Sequence, residues 1–236
     1  MTIIKQEDLI QSIADALQFI SYYHPTDFIR AMRGAWEREE SPAAKGALTQ
    51  VLVNSRMCAL GKRPICQDTG IVNVLMSVGM DVQWDSELSL DDMINEGVRR
   101  GYTHPDNVLR GSVLVEPDGA RANTKDNTPA VIHTKIVPGD KLEIEVAAKG
   151  GGSEAKAKFA MLNPSDSVVD WILSVVPTMG AGWCPPGILG IGIGGTPEKA
   201  ALLAKESLMG PVDMAEVLSR GPQTDIEKLR VAIYEA

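Results

Sequence analysis

Residues 62–70 read KRPICQDTG, so a thiol, an amide, a carboxylate, a hydroxyl and a glycine follow one another without a break. A connecting turn needs a glycine and a cap. It has no structural use for Cys66 directly beside Gln67 and Asp68. A cysteine thiolate is a nucleophile and a soft-metal ligand. A neighbouring carboxylate can orient a reacting group or move its proton. Two more stretches have a similar look: KGGGSEAK (Lys149–Lys156) and CPPGILGIGIGGT (Cys184–Thr196). Runs of glycine let a ligand approach the backbone and let amide groups converge on an anion. The bland alternative for KGGGS is a flexible turn, since paired glycines punctuate many loops.

The cysteines differ in their settings. Cys184 precedes Pro185-Pro186, which removes two backbone donors and stiffens the chain after the thiol. A cysteine followed by proline is a companion of iron–sulfur ligation, with a small buried hydrophobe as the alternative. Cys58, in VLVNSRMCALG, sits among apolar residues of a helical stretch and reads as a core position. His24, His104 and His133 make no zinc spacing with the cysteines. GIGIGGT follows a strand-like run and precedes a helix-like one, as a dinucleotide fingerprint does. It comes late in the chain, without a βαβ unit or an acidic partner about 20 residues on. Close packing against the following helix, or a carboxylate at its N-terminus, is the stronger reading.

These groups must be held by elements. Leu9, Ile10, Ile13, Leu17 and Ile20 recur at helical spacing up to His24-Pro25. Thr26 caps a second helix to about Glu39, and Ser41-Pro42 opens a third, ending at Gly61. From Ile71 the pattern becomes strand-like: IVNVLMSVG, then SVLVEP from Ser112, AVIHTKIV from Ala130, and KLEIEVAAK with Leu142, Ile144 and Val146 on one face. ILGIGIGG from Ile188 reads as a further strand. Ser89 starts a helix to about Arg100 in a capping-box-like sequence, and helices are expected over Ser165–Met179, from Thr196-Pro197 to Leu208, and from Thr224 or Asp225 to the end. The expected fold is mixed α/β: a helical N-terminal layer (1–62) packed with a mixed β-sheet flanked by helices (63–236), together one compact domain.

Composition narrows the partners. The 236 residues are 44% hydrophobic and 23% charged, enough for a sizeable core. A net charge of -8 without a lysine-arginine block disfavours nucleic acid and anionic membranes. The start, MTIIKQEDLIQ, lacks a signal pattern, and no apolar run approaches the roughly 20 residues of a membrane span. A cytoplasmic chain is expected. Three cysteines are an odd, sparse set that leaves metal binding, catalysis or packing open.

Taken in order, PICQDTG, NVLRGS, NTPA, KGGGSE and GWCPPGILGIGIGGT resemble the N-terminal, alpha-like region of class I fumarate hydratases, a family that includes L-tartrate dehydratases. The resemblance covers the chain from about residue 10 to the end. It implies an oxygen-sensitive hydro-lyase with a 4Fe–4S cluster. On that resemblance Cys66 and Cys184 match cluster ligands, Asp68 a site-orienting carboxylate with a catalytic role, and Gln67, Arg110 and Gly152 substrate-binding positions. An arginine suits a substrate carboxylate because its planar fork binds bidentately. Three cysteines hold three irons in this family, and the fourth iron acts as a Lewis acid that eases loss of the substrate hydroxyl.

The third ligand and the proposed base match positions beyond residue 236, and Cys58 does not stand at the third-ligand position. The expectation is therefore a truncated chain or a piece completed by a C-terminal domain or beta-type subunit, weak in cluster retention alone, and a homodimer. The expected reaction is reversible hydration of fumarate to L-malate on a small dicarboxylate. The alternatives are an alpha-type component of L-tartrate dehydratase, or a non-catalytic domain binding an anion or a partner subunit. Tyr102, His104, Asn123 and Asn127 border the expected site, with ordinary loop polarity as the better reading.

Overall fold

The computed structural model describes residues 2–184 and 186–236. The chain divides into two compact units. One comprises the chain up to His24 together with Thr49–Gly151; the other comprises Pro25–Leu48 and Gly152–Ala236.

The first unit is a three-stranded sheet with helices on one face. Strand β2 (Ile71–Gly79) lies in the middle, parallel to β4 (Val131–Val137) and antiparallel to β5 (Leu142–Lys149). β1 (Ile3–Lys5) and β3 (Gln83–Asp85) form a small parallel pair that the sequence did not announce. Helix α1 (Gln6–Tyr22) and helix α4 (Leu90–Tyr102) share one core with the sheet. The helical repeat Leu9, Ile10, Ile13 and Leu17 meets Met93, Ile94 and Val98 and the alternate residues Val72, Val74, Met76 and Val78 of β2. Leu142, Ile144 and Val146 pack onto the same cluster, as their alternation requires. Each fully buried side chain of the cluster, such as Ile10, Ile94 or Val74, contributes roughly 1.5–3 kcal/mol. Ser89 caps α4 by accepting the Asp92 N–H at 3.1 Å. Helix α3 (Pro42–Gly61) runs into this unit from the other.

The second unit is helical. It holds α2 (Thr26–Arg38), α6 (Val168–Val175), a 3-10 segment (Val176–Trp183), α7 (Pro197–Ser207), α8 (Met214–Arg220) and α9 (Asp225–Glu235). The single turn α5 (Gly151–Glu154) stands in the KGGGS stretch, for which a flexible turn was the alternative reading. Thr224 caps α9 through the Glu227 N–H at 3.2 Å. The mixed α/β class is as the sequence predicts.

Three expected elements differ. SVLVEP is no strand: it carries one isolated bridge, Leu114 to Asn123. The reason is local, because the Ser112 and Val113 N–H groups donate to the side chain of Asn127 instead of to a neighbouring strand. ILGIGIGG is also no strand. Gly190 and Gly192 lie so close to α7 that a Cβ on either would come within 2.3 and 2.0 Å of helix carbonyl oxygens. The helix expected to Met179 stops at Val175, where Pro177 and the positive φ of Gly180 (63°) convert it to a 3-10 segment.

Candidate active site

The CQDTG turn enters β2, and its geometry is dictated by Gly70. That residue has φ of 86°, and a Cβ there would lie 2.6 Å from the backbone of Ala148. Only glycine fits both demands. The turn is therefore pressed against the end of β5, where Gly150 faces Asp68: a Cβ on Gly150 would sit 3.0 Å from Asp68 Oδ2. The first two of the three expected ligand and substrate groups here, Cys66 and Gln67, are exposed, while Asp68 is half-buried.

Hydrogen bonds shape the turn internally. The Asp68 N–H donates to the Cys66 sulfur at 3.4 Å. The Cys66 thiol lies 3.6 Å from Gln67 Oε1. Asp68 Oδ1 accepts the Gly70 N–H at 3.2 Å, an Asx-type turn that fixes the carboxylate and leaves Oδ2 on the Gly150 side. The arginine loop is tied on directly. The Thr69 hydroxyl donates to the Arg110 carbonyl at 2.6 Å, and the Arg110 side chain is exposed. Cys66, Gln67, Asp68 and Arg110 thus belong to one neighbourhood of the first unit.

Beneath that neighbourhood lie two polar residues that the sequence treated as ordinary. Tyr102, fully buried at the end of α4, donates its hydroxyl to the Thr69 carbonyl at 2.7 Å, and lies 3.1 Å from the Gly70 carbonyl. Burial, foremost, pushes its phenol up to about 12, with the nearby Asp68 charge acting in the same direction. Asn127, also fully buried, donates from Nδ2 to the Gly70 carbonyl at 3.0 Å and accepts the Ser112 N–H at 2.6 Å. The signal for them in the sequence is that Asn127 opens NTPA and Tyr102 lies five residues before NVLRGS. Of the other two bordering residues, Asn123 donates to the Gly111 carbonyl at 2.8 Å, and His104 accepts the Asp106 N–H at 3.3 Å. Both are loop contacts, as expected.

Gly152 and Cys184 belong to the second unit. Gly152 is exposed and abuts the Gly182 carbonyl, where a Cβ would come within 2.7 Å. Glu154, just after it, pairs with Lys205 of α7. Cys184 is exposed and holds a left-handed backbone, φ 57° and ψ 63°. For a residue other than glycine that conformation stores about 1 kcal/mol or more. Pro185, half of the expected rigid pair, lies outside the described residues.

Cys58 is a core residue: it is 7% exposed and its thiol sits 3.5 Å from both Asn54 Oδ1 and the Pro64 carbonyl. Gly190, Gly192 and Gly194 of GIGIGGT pack on α7, the structural reading of that stretch, while Gly195 has open space around it. As for a cluster, the donor chemistry fits in part. Cys66 and Cys184 are free, exposed thiols, one in each unit. Among the described residues no group of three or more His, Cys, Asp or Glu side chains gathers to hold a metal. Two soft ligands are thus on offer, not a complete set. No helix among the described residues is long and apolar enough to cross a membrane.

Comparison with known proteins identifies a family. A family model described as fumarate hydratase (Fumerase) matches residues 10–236. A protein of Methanocaldococcus jannaschii named putative L(+)-tartrate dehydratase subunit alpha is 29% identical over 204 residues, which cover 84% of this chain and 70% of that protein. The L(+)-tartrate dehydratase subunit alpha of Escherichia coli (strain K12) is 25% identical over 230 residues, covering 96% of this chain and 74% of that protein.

Proposed function

We propose, on the premise that this chain belongs to the class I fumarate hydratase family and is thus a hydro-lyase, that it adds water reversibly to fumarate, giving L-malate. In that reaction water delivers a hydroxyl to one alkene carbon and a proton to the other. What supports the reading is one hydrogen bond, from the Thr69 hydroxyl to the Arg110 carbonyl, which keeps the CQDTG carboxylate and an exposed guanidinium in the same neighbourhood. Arg110 would grip a substrate carboxylate through its planar fork. Gln67 would hydrogen-bond the substrate, and Asp68, held by the Gly70 N–H, would orient the reacting end as the catalytic carboxylate. Gly152 would offer backbone contact to the substrate.

Cys66 and Cys184 would hold a 4Fe–4S cluster together with a ligand from elsewhere. When bound, such a cluster supplies a Lewis-acidic iron for the substrate's oxygens. The Asp68 backbone N–H donates to the Cys66 sulfur at 3.4 Å and so orients the thiol. A C-terminal domain or beta-type subunit would complete the site, and the assembly would be a homodimer in the cytoplasm, where three free thiols stay reduced.

A second reading has its own support. The relatives described above are named as alpha subunits of L(+)-tartrate dehydratase. L-malate and L(+)-tartrate differ by one hydroxyl, which contacts in the pocket would discriminate. One experiment separates the readings. The chain is produced anaerobically with a beta-type partner, and kcat/KM is measured for fumarate, L-malate and L(+)-tartrate. The higher value names the substrate. A brown, iron-loaded complex that turns over none of the three would sink both readings and favour a non-catalytic domain that binds an anion or a partner subunit.

A further inference from the structure

We infer that Tyr102 and Asn127 are positioning residues for the active site: buried side chains that fix the Thr69–Gly70 backbone and so hold Cys66, Gln67 and Asp68 in register with Arg110. The inference rests on the hydro-lyase reading for what is being positioned, and on the hydrogen bonds alone for the positioning itself.

The two side chains come from separate places, the last residue of α4 and the loop ahead of β4, yet they converge on neighbouring carbonyls. The Tyr102 hydroxyl reaches the Thr69 carbonyl at 2.7 Å, with the Gly70 carbonyl at 3.1 Å. Asn127 Nδ2 donates to the Gly70 carbonyl at 3.0 Å. The other end of the Asn127 amide accepts the Ser112 N–H at 2.6 Å and the Val113 N–H at 3.3 Å. Those two residues follow Arg110 by two and three positions. The Thr69 hydroxyl closes the loop by donating to the Arg110 carbonyl. A single amide therefore bridges the turn that carries the thiol and carboxylate to the segment that carries the guanidinium.

Ordinary core satisfaction does not require this pattern. A buried tyrosine needs one partner for its hydroxyl, and any carbonyl serves. Here both residues are committed to one short stretch of backbone. Asn127 moreover adopts a left-handed conformation, φ 63°, which asparagine tolerates better than most side chains and which aims its amide into the gap. Both residues are fully buried, so water does not replace a lost bond at low cost. Displacement of a catalytic group by about 1 Å can cost on the order of 100-fold in rate.

The substitutions follow from the chemistry. Tyr102→Phe keeps the ring and removes the hydroxyl. Asn127→Asp keeps the acceptor for Ser112 but replaces the Nδ2 donor by an oxygen facing the Gly70 carbonyl. Val98→Ala, a buried change in the same helix that touches neither carbonyl, is the control for general destabilisation. The first measurement needs no cluster and no turnover. The full chain without iron is treated with iodoacetamide, and the modification rate of Cys66 is read by peptide mass spectrometry. Loosening the turn changes exposure and hydrogen bonding of the thiol, so both variants should shift that rate by about threefold or more. Val98→Ala should leave it within error.

The second measurement uses the anaerobic complex with the beta-type partner. Both variants should lose about 10–100-fold in kcat/KM, with KM raised as Arg110 shifts and kcat lowered as Asp68 shifts. Should Asn127→Asp fail to fold, the volume-conserving Tyr102→Phe carries the test. Cys66 modification equal to that of Val98→Ala in the folded variants overturns the inference. A wild-type complex without hydro-lyase activity, accompanied by shifted modification rates, instead removes the catalytic reading and leaves the positioning intact.

Discussion

The ionisable groups at the site are not equally placed. Arg110 is exposed and its carbonyl, not its side chain, is what the fold holds. Its guanidinium is thus left for a ligand. Arg110→Lys keeps the charge and loses the fork, so KM for the dicarboxylate should rise about 10–100-fold, the worth of a charge-assisted hydrogen bond, with kcat nearly unchanged. A loss confined to kcat would remove Arg110 from substrate binding. Tyr102 gives a second prediction. Its phenol is pushed from 10 up to about 12 in the fold. The unfolded chain therefore ionises first, and stability present below pH 10 is lost as pH rises toward 12, by about 2–3 kcal/mol in all. Urea unfolding at alkaline pH should show that slope for the wild type and a weaker one for Tyr102→Phe. Equal slopes would mean that another group carries the alkaline limb. Cys66, Gln67 and Asp68 stood out because five reactive or flexible residue types stood side by side, whereas Arg110 was singled out only through the resemblance carried by NVLRGS. Tyr102 and Asn127 bordered the expected site, but their positioning role was not legible, because one ends an amphipathic helix and the other, though it opens NTPA, lies in a polar loop. Their roles exist only once distant segments meet.

At the scale of elements, legibility followed the strength of the local pattern. The helical spacing of Leu9 to Leu17 and the alternation of Leu142, Ile144 and Val146 both predict the face that is buried. ILGIGIGG misled because its apolar residues alternate with glycines. Alternation suggests a half-buried strand, but here every second position is a glycine chosen for contact with α7 rather than for pairing. SVLVEP misled because an asparagine fifteen residues away takes the N–H group that a strand would have used. The glycines can be told apart by substitution. A Cβ on Gly192 would lie 2.0 Å from the Ala200 carbonyl oxygen, whereas nothing lies within 4 Å of one on Gly195. Gly192→Ala should cost about 1–3 kcal/mol by overpacking, seen as a melting temperature lower by several degrees. Gly195→Ala should change it by little. The reverse order would point to a ligand-cradling role at the helix N-terminus instead of packing.

For the whole molecule, the chain crosses three times between its two units, after His24, Leu48 and Gly151. The first crossing is marked by a half-buried imidazole. His24 Nδ1 lies 3.0 Å from the Ser55 hydroxyl within the first unit, and burial pulls its pKa below the ordinary 6.5. The sign follows from linkage. As pH falls below 6.5 the imidazole of the unfolded chain takes up a proton, while the folded one still resists it. The unfolded state then binds more protons, and folding weakens as the pH drops further. Tyr102 bounds the same unit on the alkaline side by the opposite protonation step, so its stability should be greatest between these two limbs. The check is urea unfolding of the wild type and of His24→Asn between pH 8 and pH 5, with Asn chosen because its amide can face the Ser55 hydroxyl without titrating. The wild type should lose stability below pH 6.5 more steeply than the variant, because only it carries the group whose charging favours the unfolded chain. Parallel curves would assign the acid limb to carboxylates such as Glu96 and Asp126. Burial works against both, but Arg100 and Arg99 hold Glu96, and the Thr128 N–H and hydroxyl with Arg99 hold Asp126, below the usual range, so their contribution fades only at lower pH.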